Sequence, residues 1–381
     1  MKIGVITWFH YENYGTALQA VALQKYLKTI GQQPELIDIP IITPNKSSNH
    51  KKMILKLIWT KVKNKIDQKI IKLIYQSKQE ERTQKFKDII YKNFSVSKQI
   101  KNYQDFIVKS NGYDLLICGS DQIWNPSWCN DYYLANYNQI LTPKISYAPS
   151  LGVKKIPDQY KGAYYNALKN FNSLSVREKN AQQDIVNTLG LNCAVVVDPV
   201  LLLTRNEWSE FIFDKGDNKE KYILCYLLSD NANHWRAVQK FAHDHNMKLK
   251  IFTMTTQSYI QKGEKIINAG PSDFLSYIKN AQYILTDSFH ACVFSVIFHK
   301  NFSVFERHDP QTPGSQNDRI YNFLKKIHLF DRLVPFDSNN ILNDTNINFK
   351  EVDKILNLDV SSSKTYLDDA IKKVEERKCQ K

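Results

Sequence analysis

The sequence predicts an α/β protein made of two doubly wound domains that face each other across a cleft. Three observations carry this. The chain has 381 residues, 43% of them hydrophobic, too long for one ordinary domain and ample for two cores of about 150–200 residues each. Short apolar runs alternate with helical patterns, as expected of βα units on parallel sheets. The alternation comes in two series, joined by a segment from Asp198 to Trp208 that reads as a linker.

In the first series, Lys2–Trp8 reads as a strand. Thr16–Thr29 reads as a helix closed by Gly31, and Glu35–Ile39 as the next strand, together a βαβ unit. A basic segment and a helical stretch over Gln79–Tyr91 follow. Then come strands at Asp114–Cys118, Lys144–Ala148, Ser173–Val176 and Ala194–Val197, with a helix over Glu178–Leu189. The second series opens at Tyr222 with the strand YILCYLL. It continues with a helix over Ala232–His245, strand LKIFTM, a helix over Ser272–Asn280, strand YILT, a helix over Ser288–His299 and strand FSVFE. The expected division is 1–198, 209–363, and a final helix near Lys364–Lys378, within 364–381, long enough to return to the first domain.

With 24% charged residues and only 12 Gly and 12 Pro, the chain is neither disordered nor low-complexity. No apolar run is long enough to span a bilayer, and the amino-terminal residues read as a strand and turn, so a cytoplasmic protein is expected. The six cysteines form no CxxC pair, which suits buried apolar thiols better than a disulfide or zinc framework, and no metal is expected. His243 and His245, two apart on a helix, do not face one another.

A net charge of +14 favours anionic partners without choosing among them. The charge concentrates in residues 51–78, where nine lysines accompany a single acid, Asp67, and isoleucines or valine recur every four residues from Ile54 to Ile74. This is a basic amphipathic helix. It is compatible with ordinary packing, with docking on an anionic membrane surface and with nucleic-acid binding. The arginine–aromatic interleaving that nucleic-acid binding would require is missing, so no nucleic-acid partner is expected.

Ligands of open parallel sheets bind beyond the carboxyl ends of the strands. The polar residues falling there are His10, Asn13 and Gly15, then Ser120, Asp121 and Gln122, then Arg177. In the second series they are Asp287, Ser288 and His290, then Arg307. Asp287 or Ser288 can cap the helix that follows and put His290 in its first turn, where unpaired N–H groups and the dipole attract an anion. Asn13 and Gly15 also suit a turn, Asp121 and Gln122 a fixed loop, and Arg177 an ion pair with Glu178 or Asp198. Trp124 and Trp128 suit either sugar stacking or core.

The ordered set HYENYGTALQ, GSDQIWNP, SYAPSLG, LSVREKNAQ, VVDP and GPSDFLSYIKNAQYILTDSFHACVFS resembles the polysaccharide pyruvyl transferase family over nearly the whole chain. The resemblance implies a GT-B-like fold used to move the enolpyruvyl unit of phosphoenolpyruvate onto a sugar, usually as a cyclic ketal, with no cofactor beyond that donor. It implies that His290 is the general acid and that Arg177 helps to hold the donor. Members commonly carry an arginine two residues before the histidine, where this chain has Ser288. Arg307 is the expected replacement, with Arg319 and Lys300 behind it.

On this reading His290 protonates the methylene carbon, and Arg177 and Arg307 fork onto carboxylate and phosphate. Asp121 or Asp287 serves as base. His10, Asn13, Gly15, Ser120, Gln122 and Trp124 form the acceptor side. The acceptor implied is a sugar or lipid-linked oligosaccharide, reached with peripheral membrane contact. The competing readings are a GT-B glycosyltransferase using a nucleotide sugar and a non-catalytic scaffold of polysaccharide synthesis.

Overall fold

The structure, a computed structural model, describes residues 1–40, 54–213, 220–312 and 315–379. The strands are β1 (Lys2–Ile6), β2 (Gln33–Leu36), β3 (Leu115–Cys118), β4 (Lys144–Ser146), β5 (Ser175–Val176), β6 (Ala194–Val195), β7 (Tyr222–Tyr226), β8 (Lys248–Phe252), β9 (Glu264–Ile266), β10 (Tyr283–Thr286), β11 (Asn301–Phe305) and β12 (Leu333–Val334). The α-helices are α1 (Tyr14–Thr29), α2 (Ile54–Tyr91), α3 (Tyr103–Ser110), α4 (Asp158–Leu168), α5 (Lys179–Leu189), α6 (Arg205–Glu210), α7 (Ala232–Asp244), α8 (Thr256–Ile260), α9 (Pro271–Asn280), α10 (Phe289–Ile297), α11 (Asp318–Lys326) and α12 (Phe349–Cys379).

The first sheet has the order β2-β1-β3-β4, all parallel, and a bridge between Ile145 and Ser173 carries it on toward the parallel pair β5-β6. The second has the order β12-β11-β10-β7-β8-β9, also all parallel. Chain order reverses between β1 and β3 in one sheet and between β7 and β10 in the other. Crevices open beyond the strand ends at such reversals. Two doubly wound sheets of this kind make the fold GT-B-like.

Helix α1 explains how the sheets are joined. Asn13 caps it, its Oδ1 accepting from the Thr16 N–H at 3.2 Å, so the helix begins two residues earlier than its apolar pattern suggests. Its sequence is apolar nearly all round, and it is buried accordingly, between the two sheets. Tyr14 stacks on Phe274 of α9 at 4.5 Å and meets Phe252 and Tyr226 edge-on at 5.3 and 5.6 Å. One apolar core therefore runs from β1 and α1 into β7, α9 and α10.

The basic segment and the stretch after it form a single helix, α2, rather than two. Residues 51–53 lie outside the described residues, as do the side chains of the apolar stripe up to Ile66. Farther along, Ile70, Leu73 and Ile74 are exposed, whereas Phe86, Ile89 and Ile90 are buried against the core. The segment read as a linker is packed, with Val200–Leu203 and Trp208 buried. The last helix begins at Phe349 rather than near Lys364. It runs unbroken through Ser361–Ser363, where the hydroxyls of Ser362 and Ser363 donate to the Asp359 carbonyl. It reaches the first sheet, where the Tyr366 hydroxyl donates to the Ser146 carbonyl at 3.1 Å and Asp368 accepts from Tyr26 at 3.0 Å. No described helix is long and apolar enough to cross a membrane.

Candidate active site

The loops after β1 and β3 meet at the first reversal. The Thr16 hydroxyl donates to Asp121 Oδ2 at 2.6 Å, and Asp121 Oδ1 accepts from the Gln122 N–H at 2.9 Å. Gly119 has φ +150°, and a Cβ there would lie 1.9 Å from the Tyr147 carbonyl oxygen, so the loop needs glycine to pass. At the second reversal the Leu228 N–H, just past β7, donates to Asp287 Oδ1 at 2.7 Å.

Ser288 caps α10, its Oγ accepting from the Ala291 N–H, and this puts His290 in the first turn. The imidazole lies directly on α1: a Cβ on Gly15 would fall 1.9 Å from His290 Nδ1. The other ring nitrogen, Nε2, is 3.4 Å from Oδ2 of Asp198. Asp198 is fully buried and also accepts from the Val200 N–H at 3.1 Å. Burial pushes its carboxyl up, but His290, Arg177 and the Val200 N–H outweigh this and hold it well below the usual carboxylate range.

Two arginines lie against Phe289, and a third follows β11. Arg177 is buried, not on the surface. It donates from Nε to Glu178 at 3.0 Å and from Nη1 to Asp198, and its guanidinium lies 4.8 Å from the Phe289 ring centroid. The charges of Glu178, Asp198 and Asp121 raise its pKa despite burial. Arg319 lies 6.0 Å from the same ring. Burial, then the like charges of Arg177 and Arg307, push Arg319 down to about 10, against the pull of Asp121 and Glu178. With its oxygen turned toward Arg319, the Gln122 amide accepts from both terminal nitrogens at 2.9 and 3.1 Å. Arg307 donates to the Asp287 carbonyl at 3.0 Å.

These groups border a cleft of about 570 Å³, within the range of small-molecule sites. Of the residues expected from sequence, His290, Asp121, Ser288, Arg307, Arg319, Asn13 and Gln122 line it. Gly15 lies beneath the imidazole. Arg177 borders an adjoining cavity of about 720 Å³ that shares Phe289 and Arg319 with the cleft. Asp287 is fully buried and serves as the acceptor for Leu228. His10 pairs with Asp38 at 2.9 Å, away from the cleft. Ser120 is buried and donates to the Ala148 carbonyl at 3.0 Å. Trp124 is core, its indole N–H donating to the Tyr133 carbonyl at 3.1 Å, whereas Trp128 lines the cleft.

Trp8, Tyr11, Glu12, Asn130 and Tyr133 also line the cleft and were not anticipated, nor was the place of Asp198 beside His290. Proximity to the strand ends after β1 marks Trp8 and Tyr11. Asp198 stands in the VVDP motif and was expected as a partner of Arg177, not of His290. Among the described residues no cluster of His, Cys, Asp and Glu is placed to hold a metal ion.

The polysaccharide pyruvyl transferase family model matches residues 13–309, most of the chain. The protein therefore belongs to that family, a family of transferases acting in polysaccharide biosynthesis. No curated protein matches the chain. Among solved structures, UDP-GlcNAc 2-epimerase from Methanocaldococcus jannaschii is 10% identical with a TM-score of 0.49, covering 94% of this chain and 93% of that one. MurG from Acinetobacter baumannii is 10% identical with a TM-score of 0.43, covering 96% and 94%. UGT89C1 from Arabidopsis thaliana, complexed with quercetin, is 10% identical with a TM-score of 0.44, covering 98% and 94%.

Proposed function

We propose that the protein transfers the enolpyruvyl unit of phosphoenolpyruvate to two hydroxyls of one sugar in a cell-surface or exopolysaccharide precursor. The product is a pyruvyl ketal, with phosphate released. The observation that supports this is the gathering of Arg307 and Arg319 at the cleft with the buried imidazole of His290, where burial and then the like charges of Arg177 and Arg307 push Arg319 down to about 10. A small donor bearing both phosphate and carboxylate would offer an anionic group to each of these two guanidiniums. Residues 209–363 would supply the donor side and 1–198 the acceptor side.

Arg307 and Arg319 hold the donor, while Arg177 acts through Asp198 and Phe289. His290 delivers a proton to the methylene carbon, which becomes a methyl, and C2 becomes an oxocarbenium-like centre. The first sugar hydroxyl bonds to C2 and gives its proton to Asp121, which returns it to His290. The C2–O bond to phosphate then breaks. The second hydroxyl closes the ketal, and its proton leaves with the phosphate. The reaction so drawn calls for no further cofactor. Exposed Ile70, Leu73 and Ile74 on the lysine-rich helix suit peripheral contact with an anionic membrane, where a lipid-linked acceptor would be presented.

Incubation with phosphoenolpyruvate and a panel of glycosides should yield a product heavier by one pyruvate ketal, read by mass. Phosphoenolpyruvate, and not a nucleotide sugar, should raise the melting temperature. The opposite donor preference would favour a nucleotide-sugar glycosyltransferase, and no transfer with any donor a scaffold. His290→Ala should slow turnover by about 10²–10⁴-fold with the fold retained.

A further inference from the structure

The cations of the cleft come from the second sheet's side, whereas the loops of the first sheet contribute aromatic rings. Trp8 is the hub. Its ring centroid lies 5.6 Å from Tyr11, 6.3 Å from Trp128 and 6.0 Å from Tyr133. Large aromatics usually bury themselves, yet Trp128 is 36% and Tyr11 38% exposed, and both face the cleft. The Trp128 indole N–H donates to the Gln122 carbonyl at 3.2 Å, which fixes the ring by its edge. Gln122 in turn reaches Arg319, so the aromatic wall is tied to the cationic one.

We propose that Trp128, supported by Trp8, Tyr11 and Tyr133, is the stacking platform for a neutral pyranose ring of the acceptor. This rests on the pyruvyl-transfer reading for what the acceptor is used for, but not for its chemical class. A pyranose has an apolar C–H face that fits an indole face and a rim of hydroxyls that needs polar partners. Asn13, Asn130 and Asp121 line the same cleft and supply both donors and acceptors. Tyr11 is placed at the junction, since after burial the charge of Asp121 is what raises its phenol pKa. Among the described residues no lysine or arginine lines the cleft from the first-sheet wall, which suits an uncharged ring rather than the diphosphate of a nucleotide sugar.

The test uses Trp128→Ala and Trp128→Phe beside the unaltered chain. Titration with methyl hexopyranosides, without donor, should give saturable quenching of tryptophan fluorescence. Affinity should fall about tenfold in the alanine variant and return in the phenylalanine variant, which keeps a flat ring. The melting shift caused by phosphoenolpyruvate should be the same in all three. In turnover, Trp128→Ala should raise the acceptor KM with little change in kcat. Quenching by UDP but by no glycoside, equal glycoside affinity in all three proteins, or failure of the phenylalanine variant to recover would each overturn the platform. If the unaltered chain makes no ketal yet glycoside binding is lost in Trp128→Ala, pyruvyl transfer fails and the platform stands. If it makes ketal and Trp128→Ala keeps its acceptor KM, the reverse holds.

Discussion

At the scale of single residues, the position of His290 is decided by two neighbours far away in sequence. Gly15 gives it a floor, and Asp198 gives Nε2 a buried counter-charge at 3.4 Å. Removing one partner from a buried ionic group costs about 3–5 kcal/mol, so Asp198→Asn should be strongly destabilised at neutral pH. The pH dependence has a definite sign. The carboxyl is held lower in the folded protein than in the unfolded chain, so its contribution is complete above an unfolded value of about 3.9 and is lost as pH falls below it. Melting temperature measured from neutral pH into that acid range should fall more steeply for the unaltered protein than for Asp198→Asn. The histidine itself was legible, because a strand ending in Asp-Ser before an apolar helix places the next residues at an anion-attracting terminus. Asp198 was legible as a partner for Arg177 but not beside His290, because it lies in a segment that reads as a connection.

At the scale of elements, α10 shows how a local signal survives in three dimensions. Ser288, two residues before His290, accepts from the Ala291 N–H as the cap. Ser288→Ala should cost about 1 kcal/mol, read from chemical denaturation, and should leave the Arg307–Asp287 contact in place. Helices α2 and α12 show the opposite case. Both are longer than the sequence reading made them, because the core buries one face of each, with Phe86, Ile89 and Ile90 in α2 and Leu367, Ile371 and Val374 in α12. The aromatic wall was legible only in part: Trp124 and Trp128 share one loop, but the fold puts the first in the core and the second in the cleft.

At the scale of the whole molecule, Tyr14 joins the two sheets. Stacked at 4.5 Å on Phe274 and donating to the Ala269 carbonyl at 2.9 Å, it is a residue of α1 embedded in the other half's aromatic cluster. Tyr14→Ala should cost about 3–5 kcal/mol, as for other buried aromatics. Because the core is continuous through α1, the unaltered protein should melt in one calorimetric transition. Two well-separated transitions would contradict that coupling.

The sequence by itself determined the alternation of strands and helices, the two-sheet class, the family and the strand-end loops that carry His290, Asp121 and Arg307. These follow from local periodicity, capping and motif order, which need only near neighbours along the chain. Only the tertiary structure decided that Arg177 sits behind Phe289, that Arg319 enters the cleft, and that Trp128 rather than Trp124 faces it. Those outcomes depend on which apolar surfaces close on one another, and burial is set by the packing of distant segments rather than by any residue's own neighbours.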